Sequence, residues 1–258
     1  MIEKFDAPFA DTPSAAGSDT MRSGGTGACR RESGGSAHVH YHAGEKVVLE
    51  STVHQLSLGF RIVKRASDIA LSILALLILG IPMIVIAAII KIDSPGPVLF
   101  RQNRIGRYQV PFKCNKFRTM IVEAPDDCPP YMFVNPEKYI TKVGKFLRKS
   151  SMDELPQIFN ILKGEMSVVG PRPCTPKETD LIAKRQKYGV FKLMPGLTGW
   201  AQVNGRDEIS INGKVRRDRE YAKFASLGFD LRILWMTFVK VVKREGVHEG
   251  QNEKNVVR

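Results

Sequence analysis

The sequence predicts an α/β chain that is membrane-monotopic: an N-terminal re-entrant helix-break-helix, then a small cytoplasmic helix-rich domain with a short β-hairpin. Three observations predict it. Ile69 to Ile90 is an uncharged run of 22 residues. As a straight helix it would be roughly 33 Å long, against a hydrocarbon core of about 30 Å. Gly80 and Pro82 lie inside the run, and proline removes a backbone donor and clashes one turn back. Basic residues flank both ends, Arg61, Lys64 and Arg65 before it and Lys91, Arg101, Arg104 and Arg107 after it. Such flanks favour the cytoplasmic side. A segment that dips in and returns satisfies both ends; a simple span satisfies one. Split at Pro82, the arms would be roughly 20 Å and 13 Å, each too short to cross. The alternative is an ordinary spanning helix with a tolerated proline. The run starts too late for a cleaved signal peptide.

The elements follow in order. Residues 1–57 are rich in Gly, Ser, Ala and Thr without a sustained apolar period, which reads as a disordered arm. Its His38, His40 and His42 read as part of a polar segment rather than as a metal site. Residues 58–92 hold an amphipathic lead-in, with Leu58, Ile62 and Val63 toward lipid, and the membrane helix. Asp93-Ser94-Pro95-Gly96-Pro97 ends it. The folded domain takes 93–246. Val98 to Gln102 and Val110 to Phe117 read as two strands around Gly106. Residues 121–136 carry four prolines and read as a loop. Tyr139 to Lys149 reads as a short basic helix. A further helix opens at Asp153-Glu154, presents Leu155, Ile158, Phe159 and Leu162 on one face, and stops at Gly164. Thr175-Pro176-Lys177-Glu178 has the cap, first-turn proline and capping-box glutamate of a helix start. Met194 to Arg206 reads as a Gly-rich loop, 214–225 as a charged helix and 231–242 as an apolar one. Residues 247–258 read as a flexible tail.

The net charge of +13 over 258 residues suits an anionic partner: a phosphate-rich substrate, an anionic leaflet or nucleic acid. The apolar run favours the membrane. The four cysteines are scattered, with neither metal-ligand spacing nor a disulfide framework. No histidine occurs between residues 55 and 247, so a histidine triad or zinc site in the domain is excluded. Chemistry there must run on carboxylates, Lys, Arg, hydroxyls or backbone groups.

Asp153-Glu154 is the candidate centre. By itself the pair fits a capping box, Ser151 with Glu154. A helix start also suits phosphate, and Lys142, Lys145, Arg148 and Lys149 crowd the approach. Gly170-Pro171-Arg172-Pro173 fixes a backbone on either side of an arginine whose planar fork matches phosphate oxygens. Of two adjacent carboxylates, one can attack phosphorus and the other can hold Mg²⁺.

KRASDIALS, the proline-broken run, KIDSPGPVLFRQNRIG, FKCNKFRTM, LRKSSMDELPQIFNILKGEMSVVGPRP and PGLTGWAQVNGR occur in this order. Over roughly 60–245 the chain resembles the bacterial sugar transferase family, the small monotopic phosphoglycosyl transferases. The resemblance implies a membrane enzyme of the bacterial inner (plasma) membrane with a cytoplasmic catalytic domain. It implies Mg²⁺-dependent transfer of a sugar 1-phosphate from a UDP-sugar to undecaprenyl phosphate, the first membrane step of polysaccharide or glycoconjugate synthesis. Asp153 matches the family's nucleophile, and Glu154 its Mg²⁺-binding partner. Lys116, Arg118, Arg148 and Arg172 are then expected at substrate phosphates, and Gln202, Asn204 and Arg206 at the substrate. Many members have Ser-Pro at the helix break, where this chain has Gly80-Ile81-Pro82, so Gly80 must supply the bend or Ser72 must help. Nucleic acid is not an expected partner; a homodimer is left open. Two rivals stand beside this reading. A glycoside hydrolase needs carboxyls about 5 Å or more apart across a bond, which neighbours in sequence suit poorly. A basic membrane adaptor without catalysis accounts for the charge but not for Asp153-Glu154.

Overall fold

The computed structural model describes residues 57–124, 138–205 and 209–243. The N-terminal arm before Ser57, most of the proline-rich loop, Arg206 and the tail lie outside the described residues. Helix α1 runs Leu58–Asp93. Its N-terminus is capped by Ser57, whose hydroxyl accepts from the Phe60 N–H at 3.2 Å. It stops where Ser94 turns extended before Pro95-Gly96-Pro97. Its 36 residues make an axis of about 54 Å along the helix path.

The break expected at Pro82 is not an interruption of the helix: α1 continues through it. Pro82 cannot donate to the carbonyl of Ile78, but every further backbone group left open among apolar side chains would cost several kcal/mol. The turns on both sides therefore stay closed. Nor does Ser72 help there: its hydroxyl is buried and bonds nothing among the described residues. Beside the proline one face of the helix is bare, with Leu77 77 % and Ile81 75 % exposed.

Both halves of α1 nevertheless rest on the folded domain. In the first half Lys64 pairs with Asp230 at 2.6 Å. Asp68 accepts from the Val168 N–H at 2.9 Å and the Ser167 hydroxyl at 3.0 Å. Arg65 donates to the carbonyls of Ile161 and Leu162, the open C-terminal end of a helix, where a cation is favoured. In the second half Met83 and Ile90 pack with Phe117 and Leu147.

The hairpin forms as read, with different limits. Strands β1 (Leu99–Ile105) and β2 (Pro111–Phe117) pair antiparallel from Leu99 opposite Phe117 to Ile105 opposite Pro111. Tyr108 and Gln109, not glycine, take the left-handed conformation in the turn. Helix α2 (Lys142–Lys149) is capped by Thr141, which accepts from Gly144 N–H at 2.9 Å. Helix α3 (Gln157–Lys163) ends at Gly164 with φ +86°, as the glycine predicts. Its buried face is Gln157, Ile158, Asn160 and Ile161, one step round from the predicted one, and Phe159 is exposed. Strand β3 (Ser167–Val169) pairs in parallel with β4 (Gly196–Thr198), where a loop was expected. Gly170 and Gly196 permit it: a Cβ on either would collide with the other's stretch of backbone.

Helices α4 (Thr179–Lys187), α5 (Trp200–Val203), α6 (Ile211–Phe224) and α7 (Leu227–Lys243) complete the domain. The Glu178 side chain reaches back to Thr175 N–H at 2.6 Å as the capping box predicts, yet α4 starts later, at Thr179. Val169, Leu193, Val203, Tyr221, Ala222 and Ile233 form one core beneath α5, α6 and α7. Burying six such side chains removes enough apolar surface to contribute on the order of 10 kcal/mol.

Candidate active site

Four elements converge on the dyad. Asp153 and Glu154 lie in a 3-10 turn, Met152–Glu154, ahead of α3 rather than in its first turn. The capping box is not formed. Ser151 sits in the left-handed region at φ 56° with no side-chain cap bond. Such a conformation costs a non-glycine residue about 1–3 kcal/mol and clusters at functional sites. It turns the chain between α2 and the dyad so that Glu154 faces the end of β2.

There Lys116 Nζ approaches Glu154 Oε1 at 3.4 Å, and Arg172 Nη2 donates to the same oxygen at 2.9 Å. Arg148, in the last turn of α2, donates from Nε to the Thr119 hydroxyl at 2.9 Å. Behind the dyad Asn160, fully buried, ties α3 to β2. It accepts from Asn115 N–H at 2.9 Å and donates to the Lys113 carbonyl at 2.8 Å. That brace sets the register between the dyad and Lys116. Burial pushes the Asp153 carboxyl up; Lys116 pulls it down, the Glu154 carboxylate pushes it up again, and Arg148 and Arg172 pull it down, with a raised value as the outcome.

The remaining sequence-predicted residues divide. Arg118 is not presented to this cluster. Its guanidinium is buried and donates to the Pro95 carbonyl at 2.6 Å, the Ser94 carbonyl at 2.7 Å and the Ser94 hydroxyl at 2.9 Å. It holds the segment leaving α1 against the end of β2, because three acceptors freed by the proline-rich stop need a donor there. Arg118→Met is therefore expected to lower stability by about 2–4 kcal/mol and to leave the KM for donor unchanged. Thermal melts and donor titrations check it; a raised KM at unchanged stability would return Arg118 to the phosphates. Asn204 donates to the Trp200 carbonyl of its own turn at 2.8 Å. Gln202 is different: both of its amide atoms are buried, with no hydrogen-bond partner among the described residues. Sequence reasoning missed Asn160, Arg104, Arg185 and Asp218 around the site. The signal for Asn160 was a polar residue inside an otherwise apolar helix; Arg104 read as a basic flank of the membrane run, and Asp218 as part of a charged helix.

Among the described residues no three His, Cys, Asp or Glu side chains cluster as a metal cage. Mg²⁺ does not need one. It takes one or two carboxylates and completes its shell with water and substrate phosphates, and the carboxylate oxygens of Asp153 and Glu154 are hard donors of that kind.

The dyad, with Lys116 and Arg172 on Glu154, sits on a domain that carries one helix long and apolar enough to cross a membrane. A profile of the bacterial sugar transferase family matches residues 59–244, and the chain belongs to that family. It is 41 % identical over 193 residues to the UDP-glucose:undecaprenyl-phosphate glucose-1-phosphate transferase of Escherichia coli K12, covering 70 % of this chain and 40 % of that one. It is 35 % identical over 228 residues to the UDP-galactose-lipid carrier transferase of Erwinia amylovora, covering 82 % and 46 %. It is 36 % identical over 197 residues to the exopolysaccharide production protein ExoY of Rhizobium meliloti, covering 71 % and 87 %. The chain thus spans less than half the length of the first two relatives and most of the third.

Proposed function

We propose that this protein transfers a sugar 1-phosphate from a UDP-sugar to undecaprenyl phosphate, with a covalent phosphosugar on Asp153, as the first membrane step of exopolysaccharide or related glycoconjugate synthesis. The observation that carries the reading is the Asp153-Glu154 pair facing Lys116, Arg148 and Arg172 from three separate elements. The relatives' names supply the donor and acceptor classes. A carboxylate oxygen of Asp153 attacks the β-phosphorus, the bond to the bridging oxygen breaks, and UMP leaves with that oxygen. An oxygen of the polyprenyl phosphate then attacks the same phosphorus and the Asp153 carboxylate leaves. Arg172, Lys116 and Arg148 would offset the charge that builds on the phosphate oxygens. Glu154 would hold Mg²⁺ against the diphosphate, where the ion neutralises charge. A non-catalytic adaptor accounts for the basic charge but not for two adjacent carboxylates gathered with Lys116 and Arg172.

The test is a donor panel in detergent with undecaprenyl phosphate, reading UMP. UDP-glucose and UDP-galactose head it because relatives of similar identity are named for each. Release from at least one donor, dependent on Mg²⁺, is expected; none from any donor refutes the reaction. Arg172→Lys keeps the charge and loses the fork, so kcat/KM is expected to fall about 10–100-fold, the effect of about 1.5–3 kcal/mol for a charge-assisted hydrogen bond. Near-wild-type turnover would make the Pro-Arg-Pro turn a connector.

Re-entry belongs to the same proposal, with the chain on the inner-membrane cytoplasmic face. Its support is that contacts at Lys64, Asp68, Met83 and Ile90 hold both halves of α1 against one domain while Leu77 and Ile81 stand clear. A span would carry one end about 30 Å away. With Cys29 and Cys128 replaced by serine, cysteines at Gly59 and Gln251 are each expected to resist an impermeant thiol reagent in spheroplasts and to label after lysis. Labelling at 59 alone before lysis would mean a true span.

A further inference from the structure

Three consecutive carbonyls around Arg172 each accept a hydrogen bond from a different part of the fold. Pro171 O takes the Gly196 N–H at 2.9 Å. Arg172 O takes Arg185 Nη1 at 2.7 Å. Pro173 O takes Arg104 Nη1 at 2.9 Å. The two prolines set φ on either side, and Pro173 also keeps Arg172 out of the helical region. A carbonyl held by a donor fixes its peptide plane. The bonds to Pro171 O and Arg172 O therefore fix both planes that meet at the Arg172 Cα, and with them the direction in which its side chain leaves toward Glu154.

Arg185, on α4, reaches that carbonyl from a buried ion pair with Asp218 on α6. The two residues are 3 % and 1 % exposed. Arg185 Nε donates to Asp218 Oδ2 at 2.9 Å and Nη2 lies 2.7 Å from the same oxygen. Such a pair is a weak choice for stability alone. Desolvating both charges offsets most of their attraction, and apolar residues of similar volume often do as well or better. The α4 and α6 helices also have an apolar joint of their own, Leu181 with Val215. What an apolar joint cannot do is grip an anion on one edge of a plane and a carbonyl on the other, which the rigid guanidinium does.

We infer that Arg185 and Asp218 form a positioning pair that aims Arg172 at the phosphate site beside Glu154, a role that rests on the reaction proposed above. Arg185 acts through the Arg172 main chain; Asp218 holds the plane of its guanidinium.

The test replaces the pair by apolar residues, Arg185→Met with Asp218→Leu, and follows UMP release from the donor that wild type accepts. Melting temperature and the fraction of protein that forms the phosphosugar adduct are measured alongside. The expected result is a melting temperature close to wild type, an unchanged adduct fraction and a kcat about tenfold lower or less. In an Arg172→Lys background the same double substitution is expected to change kcat by less than about twofold, since a pair that acts through Arg172 has little left to aim. A folded apolar variant with wild-type kcat overturns the inference, as does a loss that multiplies in the Arg172→Lys background. If the apolar variant does not fold, Asp218→Asn carries the same cycle, and an undiminished kcat there overturns it equally. Absence of wild-type turnover would refute the reaction; wild-type turnover with multiplying losses refutes the pair alone.

Discussion

Asp153→Asn is expected to abolish UMP release and, near neutral pH, to leave the protein as stable as wild type or more so. The first effect follows from chemistry. An amide keeps the shape of the carboxyl but lacks the nucleophilic oxygen, so the attack on phosphorus fails while binding survives. Intact-mass measurement of wild type with UDP-sugar alone should show an added phosphosugar that the variant lacks; turnover unchanged in Asp153→Asn would end the covalent reading. The second effect follows from burial. The folded protein holds the Asp153 proton more tightly than the ordinary carboxyl at 3.8, chiefly through desolvation. A carboxyl raised on folding contributes stability below its unfolded value, and that contribution is lost as pH rises through the folded value. Above the unfolded value the buried carboxyl is therefore a cost that asparagine does not carry. The difference in melting temperature, variant minus wild type, should grow between pH 4 and pH 8. A variant that melts well below wild type at pH 7.5 would show instead that the cations around Asp153 outweigh its desolvation.

The residues that could be placed from sequence were those whose chemistry is local. Gly164 ends its helix because a left-handed residue is needed there, and any reader of the chain can see a glycine. The hairpin follows from two strand-like runs on either side of Gly106. Asp153, Glu154, Arg148 and Arg172 stood out because charge and proline patterns concentrate there, and the structure does bring Glu154, Lys116 and Arg172 within contact. What was not legible depends on contacts between distant segments. Arg118 carries the same charge as Lys116 two residues away, yet it points at carbonyls of the Ser94-Pro95 stop. Nothing in a one-dimensional pattern says which of the two faces the dyad. The parallel pairing of β3 with β4 involves three residues on each side, too few to show a period. The continuity of α1 through Pro82 reflects the cost of open backbone groups in an apolar setting, a tertiary effect that outweighs the local propensity.

Glu154→Gln is expected to lower turnover by on the order of 10²–10³-fold, the range seen when one preorganised electrostatic contact is removed, with a smaller change in stability. Glutamine preserves the length and one acceptor oxygen, so Arg172 Nη2 can still donate to it as it does now at 2.9 Å. What disappears is the negative charge that draws Arg172 and Lys116 together. Three consequences follow from that single loss. Arg172 and Lys116 repel each other across a neutral group, so both lean away from the phosphate position. Asp153 loses a like charge beside it, and with it one of the influences that raise its carboxyl, which makes the nucleophile less basic. Mg²⁺ affinity weakens because a carboxylate donor is replaced by an amide. The variant should need a higher Mg²⁺ concentration for half-maximal rate, and raising Mg²⁺ should recover part of the loss but not all of it. Full recovery would confine Glu154 to holding the ion; wild-type rates at wild-type Mg²⁺ would leave Glu154 no part in the reaction.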